Sequence, residues 1–216
     1  MVSLNSISNK GGKLPKILLT GFGPFGENDI NPSKKTVMRL DGEQIKGYEI
    51  VGLNVPTIYE KAIEKVVDKI EEIDPEIVIS LGLAERKRIS LERVAINVND
   101  ARIEDNEGNE PVDKLIDEDG PVGYFSTLPI REILNDMKDA GIPTYISNSA
   151  GTYVCNNVMY GVLNHIEKND LDIRAGFIHL PCLPEQALED DRASMSLDLM
   201  IKAVRIAIET TVDSLK

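Results

Sequence analysis

Residues 16–26 read KILLTGFGPFG. The apolar run 17–19 has the character of a buried strand, and Gly21, Gly23 and Gly26 then spell G-x-G-x-x-G. After a strand and before a helix, that spacing is the fingerprint of a dinucleotide-binding turn. Four features of the surrounding sequence argue against a phosphate. Pro24 has no N–H to donate. Glu27 and Asp29 place negative charge where a pyrophosphate would sit. The next helix is expected only after Asn31, with Pro32 at its first position, so its N-terminus stands away from the glycines. The second strand ends in Asn54, where a dinucleotide site offers Asp or Glu to the ribose. The loop instead carries two of the chain's four phenylalanines, Phe22 and Phe25. Aromatics on a glycine turn at a strand end either cap the core or wall a small apolar pocket.

Outward from this turn, short apolar runs alternate with segments of helical period. Residues 48–55 read as a second strand. A capping-box pattern at 57–60 opens a helix whose Ala62, Ile63, Val66, Val67 and Ile70 recur at helical spacing and which Asp74-Pro75 ends. Residues 76–83 are a third strand, and 89–98 (ISLERVAINV) another. The acidic stretch 99–121 reads as a long loop of the kind that is functional or mobile. A helix at 128–139, a strand at 144–149, a helix at 152–168, a strand at 174–181 and an amphipathic helix at 196–212 complete the chain. This alternation predicts an α/β domain with a largely parallel sheet covered on both faces. Ligands of such sheets bind beyond the carboxyl ends of strands, which points to the loops after residues 20, 82, 148 and 179.

Composition narrows the function. Of 216 residues, 42% are hydrophobic and 28% charged, as in ordinary globular proteins, and no apolar run is long enough for a membrane span. The polar stretch 1–15 lacks the apolar segment of a secretory signal and reads as a flexible extension ahead of a domain at 16–216. A net charge of −12 without a basic run disfavours nucleic acid and anionic membranes as partners. Two cysteines, Cys155 and Cys182, and two histidines, His165 and His179, form no disulfide framework or zinc spacing, and fit a reducing cytoplasm.

Cys155 lies three residues after Thr152, read as a helix N-cap, so its sulfur falls in a first turn whose dipole favours a thiolate. The plainer reading is a small buried hydrophobe. A cysteine nucleophile needs a base. His165 is ten residues along the same helix, about 15 Å away. His179, at a strand end on the expected ligand edge, remains. Cys182 competes for His179, but an offset of three along extended chain puts the two on opposite faces, about 10 Å apart. Among the many carboxylates Glu92 stands out because it shares strand parity with Val94, Ile96 and Val98. A carboxylate on an apolar face must be paired, either with a base to be oriented or with Arg93 or another arginine.

The combination TGFGPFG…NPS, LERVAINVNDARIEDNEG, SNSAGTYVCN and GFIHLPCLPEQ resembles the type I pyroglutamyl peptidases, over residues 16 to about 212. The resemblance implies a single three-layer α/β/α domain with a largely parallel, mixed twisted sheet of the phosphorylase/hydrolase kind, and commonly a tetramer. It implies a cytosolic cysteine exopeptidase that releases N-terminal pyroglutamate from peptides through an acyl-enzyme, without metal or cofactor. By its motifs the nucleophile is Cys155, the base His179 and the orienting carboxylate Glu92. Arg102 stands near the oxyanion, and Phe22, Phe25, Thr57, Leu83, Ile103, Tyr153 and Val154 line the substrate pocket. The chain departs from the family pattern in GLAERKRISLE, which is one residue shorter than GxAGGR-type loops, in Glu104 for a proline, and in Cys182 where a tyrosine is frequent. Two other readings stand beside this one. A phosphorylase-like or nucleotide-binding protein would explain the glycines but not Cys155 with His179. A silent binding module would keep the pocket without turnover.

Overall fold

Period-two alternation in the central strands sets the architecture. The computed structural model describes residues 14–26, 29–189 and 191–215. Most of the extension read at 1–15 therefore lies outside the described residues, as does Glu27. In chain order the elements are β1 (Lys16–Phe22), α1 (Pro32–Leu40), β2 (Gln44–Ile45), β3 (Tyr48–Val55), α2 (Lys61–Ile73), β4 (Ile77–Leu83) and β5 (Ile89–Glu92). They continue as β6 (Val94–Ile96), β7 (Gly123–Phe125), α3 (Ile130–Asp139), β8 (Thr144–Ser147), α4 (Val154–Lys168), β9 (Arg174–Leu180) and α5 (Leu197–Ser214).

Seven strands form one sheet in the order β2-β3-β1-β4-β9-β5-β8, and β6 and β7 form a separate antiparallel pair. Strands β3, β1, β4 and β9 run parallel; β5 is antiparallel to β9 and parallel to β8. On one face Ile17, Leu19, Ile77, Ile79, Leu81, Ile89, Leu91, Ile178 and Leu180 pack with α1, α3 and α5. On the other, Leu18, Phe22, Val78, Ala175 and Phe177 pack with α2 and α4. Each fully buried Leu or Ile stabilises the fold by about 1.5–3 kcal/mol over its exposed state. The three-layer α/β/α domain with a largely parallel, mixed sheet is thus the one expected.

The same alternation puts the polar residues of the strands on the α2/α4 side. Ser80 and Gly82 follow Val78 on β4, His179 follows Phe177 on β9, and Ser90 and Glu92 alternate with Ile89 and Leu91 on β5. At the first turn, Asn31 accepts from Ser33 N (3.0 Å), and Pro32 takes the first helical position of α1. Gly21 permits close approach: a Cβ there would lie 2.7 Å from the Ser33 carbonyl. The amides of this loop are already engaged, Phe22 N with Ser33 Oγ (3.0 Å) and Gly23 N with Val55 O (3.1 Å).

Five local expectations change. Residues 89–98 do not form one strand. The chain leaves the sheet at Arg93, whose N–H donates to Ser147 O, and β6 pairs with β7 instead. Glu92 therefore shares its face with Ser90, not with Val94, Ile96 and Val98. The capping box at 57–60 is not made: α2 begins at Lys61 with Glu60 at its N-cap and no side-chain cap. Asp105 draws in the Tyr59 N–H (3.0 Å) and Asn106 N donates to Thr57 O (3.1 Å), so these residues belong to a loop contact rather than to the helix. Thr152 does not cap α4. Tyr153 holds that position, and the Thr152 hydroxyl donates to Asp100 O (2.8 Å). β8 runs with β5 against the other strands, so the loop after residue 148 does not leave from the carboxyl edge of the parallel strands; Ser147 lies level with Glu92 and Phe177, midway along β9. The short β2 and β7 carry too little periodicity to be read from sequence.

Candidate active site

Glu92 is wholly buried and His179 nearly so, at 0% and 4% exposure. Their strands are in register: Ser90 faces His179, and Glu92 faces Phe177, across the antiparallel β5–β9 pair. His179 Nδ1 lies 2.8 Å from Glu92 Oε1. A carboxylate only accepts, so Nδ1 carries the proton and Nε2 is left as the acceptor. The ring also packs on Phe177, centroids 4.8 Å apart.

Gly82 is the in-register neighbour of His179 on β4. A Cβ on Gly82 would stand 3.0 Å from Cys155 Sγ and 2.9 Å from the Phe177 ring. Adjacent strands are about 4.8 Å apart, so the sulfur sits over the Gly82–His179 pair, on the face to which the imidazole points. The absent side chain of Gly82 is what makes room for it. Cys155 itself is in the first turn of α4, as read from sequence, and that turn is bolted down by its neighbours. Asn156 accepts from Ile96 N (2.9 Å) and donates to Ile96 O (2.8 Å) and Val98 O (3.1 Å), and Asn157 donates to Asn99 Oδ1 (3.2 Å).

Burial pushes the Cys155 thiol up to about 12, the Glu92 charge adds to the rise, and Arg86 opposes it. Burial thus works against the thiolate that a helix N-terminus by itself favours. Burial acts to raise Glu92 as well, but the His179 hydrogen bond and charge, Ser147 and Arg86 outweigh it and hold the carboxyl below its ordinary value. Oε1 accepts from three donors: His179, Arg86 Nη1 (2.7 Å) and Ser90 Oγ (2.9 Å). Glu92 is thus paired with both His179 and an arginine, Arg86. Arg93 is turned away and donates to Asn148 (2.9 Å).

The remaining predicted residues fall into three groups. Phe22 and Val154 are closed into the core, at 3% and 0% exposure, Phe22 packing on Phe177. Phe25 and Tyr153 form a partly open aromatic pair, centroids 5.4 Å apart, and Thr57 is buried. Leu83, at the end of β4, is half-buried, while Ile103 and Arg102 are exposed. No hydrogen bond or ion pair of Arg102 is seen among the described residues, although the nearby Asp100 N donates to Thr152 O (3.0 Å) in the loop that leads into α4.

Several residues were missed by the sequence reading. Tyr59 joins the aromatic group edge-on to Tyr153, centroids 5.5 Å apart. Its hydroxyl and the Thr57 hydroxyl are buried and find no hydrogen-bond partner among the described residues. Asp105 organises the wall by accepting from Tyr59 N, Glu107 N (2.8 Å) and Asn109 N (2.9 Å). The D-N-E-G turn at 105–108 was a legible signal for it; nothing local marked Tyr59 or Arg86. His165 lies far along α4 beside Glu71 (4.0 Å), and Cys182 is fully buried. Among the described residues no group of three or more His, Cys, Asp or Glu is arranged to hold a metal, and no helix is long and apolar enough to cross a membrane.

A family model for pyroglutamyl peptidase matches residues 15–214. The pyrrolidone-carboxylate peptidase 1 of Caldanaerobacter subterraneus subsp. tengcongensis is 50% identical over 202 residues, covering 93% of this chain and 99% of that relative. The crystal structure of Bacillus amyloliquefaciens pyroglutamyl peptidase I superposes with a TM-score of 0.90 at 44% identity, covering 92% and 97% of the two chains. The pyrrolidone carboxyl peptidase of Thermococcus litoralis does so with a TM-score of 0.91 at 41% identity, covering 94% and 95%.

Proposed function

This chain belongs to the pyroglutamyl peptidase family, and from that premise we propose that Cys155, His179 and Glu92 are the nucleophile, base and orienting carboxylate of its reaction. The enzyme is a cysteine exopeptidase that removes N-terminal pyroglutamyl residues from peptides. The observation that carries the residue assignment is the Glu92–His179 hydrogen bond, with Cys155 Sγ resting over Gly82 beside it.

Pyroglutamate is a neutral lactam with no free amine, so carboxylates that grip an ammonium have nothing to hold. An apolar slot suits it better. Phe25, Tyr153 and Tyr59 supply aromatic surface, with Phe22 and Val154 behind them and Leu83, Thr57 and Ile103 around the rim. The unpartnered hydroxyls of Thr57 and Tyr59 are assigned to polar atoms of the substrate, because a buried hydroxyl without a partner is costly until one arrives.

Burial favours the protonated thiol, and attack and proton transfer go together. His179 Nε2 takes the Cys155 proton as Sγ bonds to the scissile carbonyl carbon. Negative charge passes to the carbonyl oxygen. First-turn N–H groups of α4 are available to it, since Tyr153 provides no side-chain cap. Arg102 is assigned to the same charge and must swing inward from its exposed position to meet it. The imidazolium, stabilised by Glu92, gives its proton to the leaving amine, breaking the C–N bond. It then takes a proton from water, which attacks the acyl-enzyme, and returns that proton to the sulfur as the C–S bond breaks, freeing pyroglutamate and the thiol.

Release of a fluorophore from a pyroglutamyl amide tests this directly. Wild type and Cys182→Ser hydrolyse it and Cys155→Ser does not; equal activity in Cys155→Ser refutes the assignment. We also read the protein as a cytoplasmic homotetramer, a reading supported by the resemblance to the family and by the exposed Val122 and Phe125 at the β6–β7 pair. Light scattering coupled to size exclusion checks the assembly.

A further inference from the structure

Arg86 lies in the loop between β4 and β5, in the charged run ERKR. Its side chain is only 30% exposed, and Nη1 turns inward to three acceptors: Glu92 Oε1 (2.7 Å), Ser90 Oγ (2.7 Å) and Ser147 Oγ (3.3 Å). Those acceptors belong to β5 and β8, so one nitrogen ties the loop to both strands that run against the rest of the sheet. We propose that Arg86 is a positioning residue that fixes the buried Glu92 carboxylate and screens its charge from Cys155, so that the thiol can pass its proton to His179. The proposal rests on the catalytic assignment above.

The need for such a group follows from burial. A carboxylate removed from water must be compensated by charge or donors. All the donors to Glu92 converge on Oε1, while Oε2 has no partner among the described residues. The charged and titratable groups facing it are His179 from β9, Arg86 from its loop and Cys155 from α4; Ser90 and Ser147 are neutral. Attack begins by developing negative charge on a sulfur that already shares a low-dielectric space with Glu92. Two anions held there repel strongly unless a cation intervenes. His179 becomes cationic only as the proton moves, whereas the Arg86 charge is permanent. Arg86 is also the group that works against the rise of the Cys155 thiol.

Two substitutions separate charge from shape. Arg86→Lys keeps the cation, and Arg86→Gln keeps a donor without charge. In Arg86→Gln, kcat falls about 10- to 100-fold with KM within about twofold, as expected when a reacting group is misplaced but binding is not. Its Cys155 alkylation rate with iodoacetamide at a fixed pH falls about tenfold, because less thiolate is present. The Cys155→Ser protein defines the alkylation background. Arg86→Lys stays within several-fold of wild type in both readouts. In a Glu92→Gln background, with no carboxylate charge left to screen, Arg86→Gln slows alkylation less than it does with Glu92 present. The proposal is overturned if Arg86→Lys and Arg86→Gln behave alike, if Arg86→Gln matches wild type, or if Arg86→Gln slows alkylation equally without Glu92. Hydrolysis surviving in Cys155→Ser would instead bring down the underlying assignment, whatever Arg86 does.

Discussion

The Glu92–His179–Arg86 cluster and the Phe25–Tyr59–Tyr153 cluster meet at one edge of the sheet but are held by different means. The first centres on β5, β8 and β9, where strand register sets Glu92 diagonally across from His179, both sealed from solvent, and Arg86 closes over them from the β4–β5 loop. The second is assembled from four loops pinned to one another: Asn106 Nδ2 donates to Pro24 O (3.2 Å), the Tyr153 hydroxyl to Glu104 O (3.0 Å), and Tyr59 N to Asp105. Strand-borne groups keep their geometry because moving one means breaking a ladder. Loop-borne groups can yield to a ligand at the cost of a few local bonds. Proton transfer needs the first property, and admitting and releasing a ring needs the second.

Substitutions in the two regions should therefore differ in kind as well as size. The largest effect is expected for Glu92→Gln, which keeps the shape but removes the charge that stabilises the imidazolium and replaces one acceptor oxygen by an NH2 donor that competes for the His179 tautomer. It should lower kcat by about 10³-fold or more with little change in KM, by analogy with other oriented-base sites; steady-state kinetics on a pyroglutamyl amide measures this. Gly82→Ala comes next. Its methyl would sit 3.0 Å from Cys155 Sγ and 2.9 Å from the Phe177 ring, so the sulfur must shift, costing about 10²-fold in kcat. Overpacking should also cost about 1–3 kcal/mol of stability, read from thermal unfolding. A Gly82→Ala enzyme with wild-type kcat would mean that the sulfur is not held over the Gly82–His179 pair.

In the loop region the effects move to KM. Asp105→Asn weakens three backbone contacts at once, and KM should rise about tenfold while kcat falls less, a loss of about 1.4 kcal/mol in substrate binding. Burial acts to raise the Asp105 carboxyl, but the hydrogen bonds from Asn109, Glu107 and Tyr59 outweigh it and hold it below its ordinary value. The stabilisation it contributes is thus complete above the unfolded value of about 3.9 and is lost as pH falls through the lower folded value. The chain has no Trp and six Tyr, so tyrosine fluorescence should report loosening of the wall in that acid window, and Asp105→Asn should abolish that transition. The smallest effect is expected for Tyr59→Phe. Removing an unpartnered buried hydroxyl should leave stability unchanged or slightly higher, yet raise KM several-fold, as for the loss of one hydrogen bond of about 1 kcal/mol. An unchanged KM would show that this hydroxyl does not meet the substrate.

How far these regions were legible in the sequence differs for the same reason. The strands were visible because alternation at period two is written residue by residue, as in 76–83 and 174–181. Cys155 and His179 could be singled out by elimination, since few nucleophiles and bases exist and helix length excludes His165. Glu92 was noticed through parity with Val94, Ile96 and Val98, yet the strand breaks at Arg93 and its actual face-mate is Ser90. Arg86 was indistinguishable from its neighbours Lys87 and Arg88, because nothing local says which cation of a charged run folds inward. Tyr59 was hidden inside an apparent capping box, because Thr57 and Glu60 satisfy that pattern whether or not the helix starts there.

By itself the sequence determined the layers, the order of the motifs and the chemical groups available. Those depend on local period and residue type, which survive in any surroundings. It also decided against a phosphate at residues 20–26, since a proline without an N–H remains one wherever it lies. Only the tertiary structure decided that β5 runs against β9, so that Glu92 reaches His179 across 87 residues of chain. It alone decided that Gly82 leaves space for the Cys155 sulfur and that Arg86 closes over the carboxylate. Such choices turn on strand register and loop closure between distant segments, where the winning arrangement is the one that leaves the fewest buried charges and polar groups unpaired.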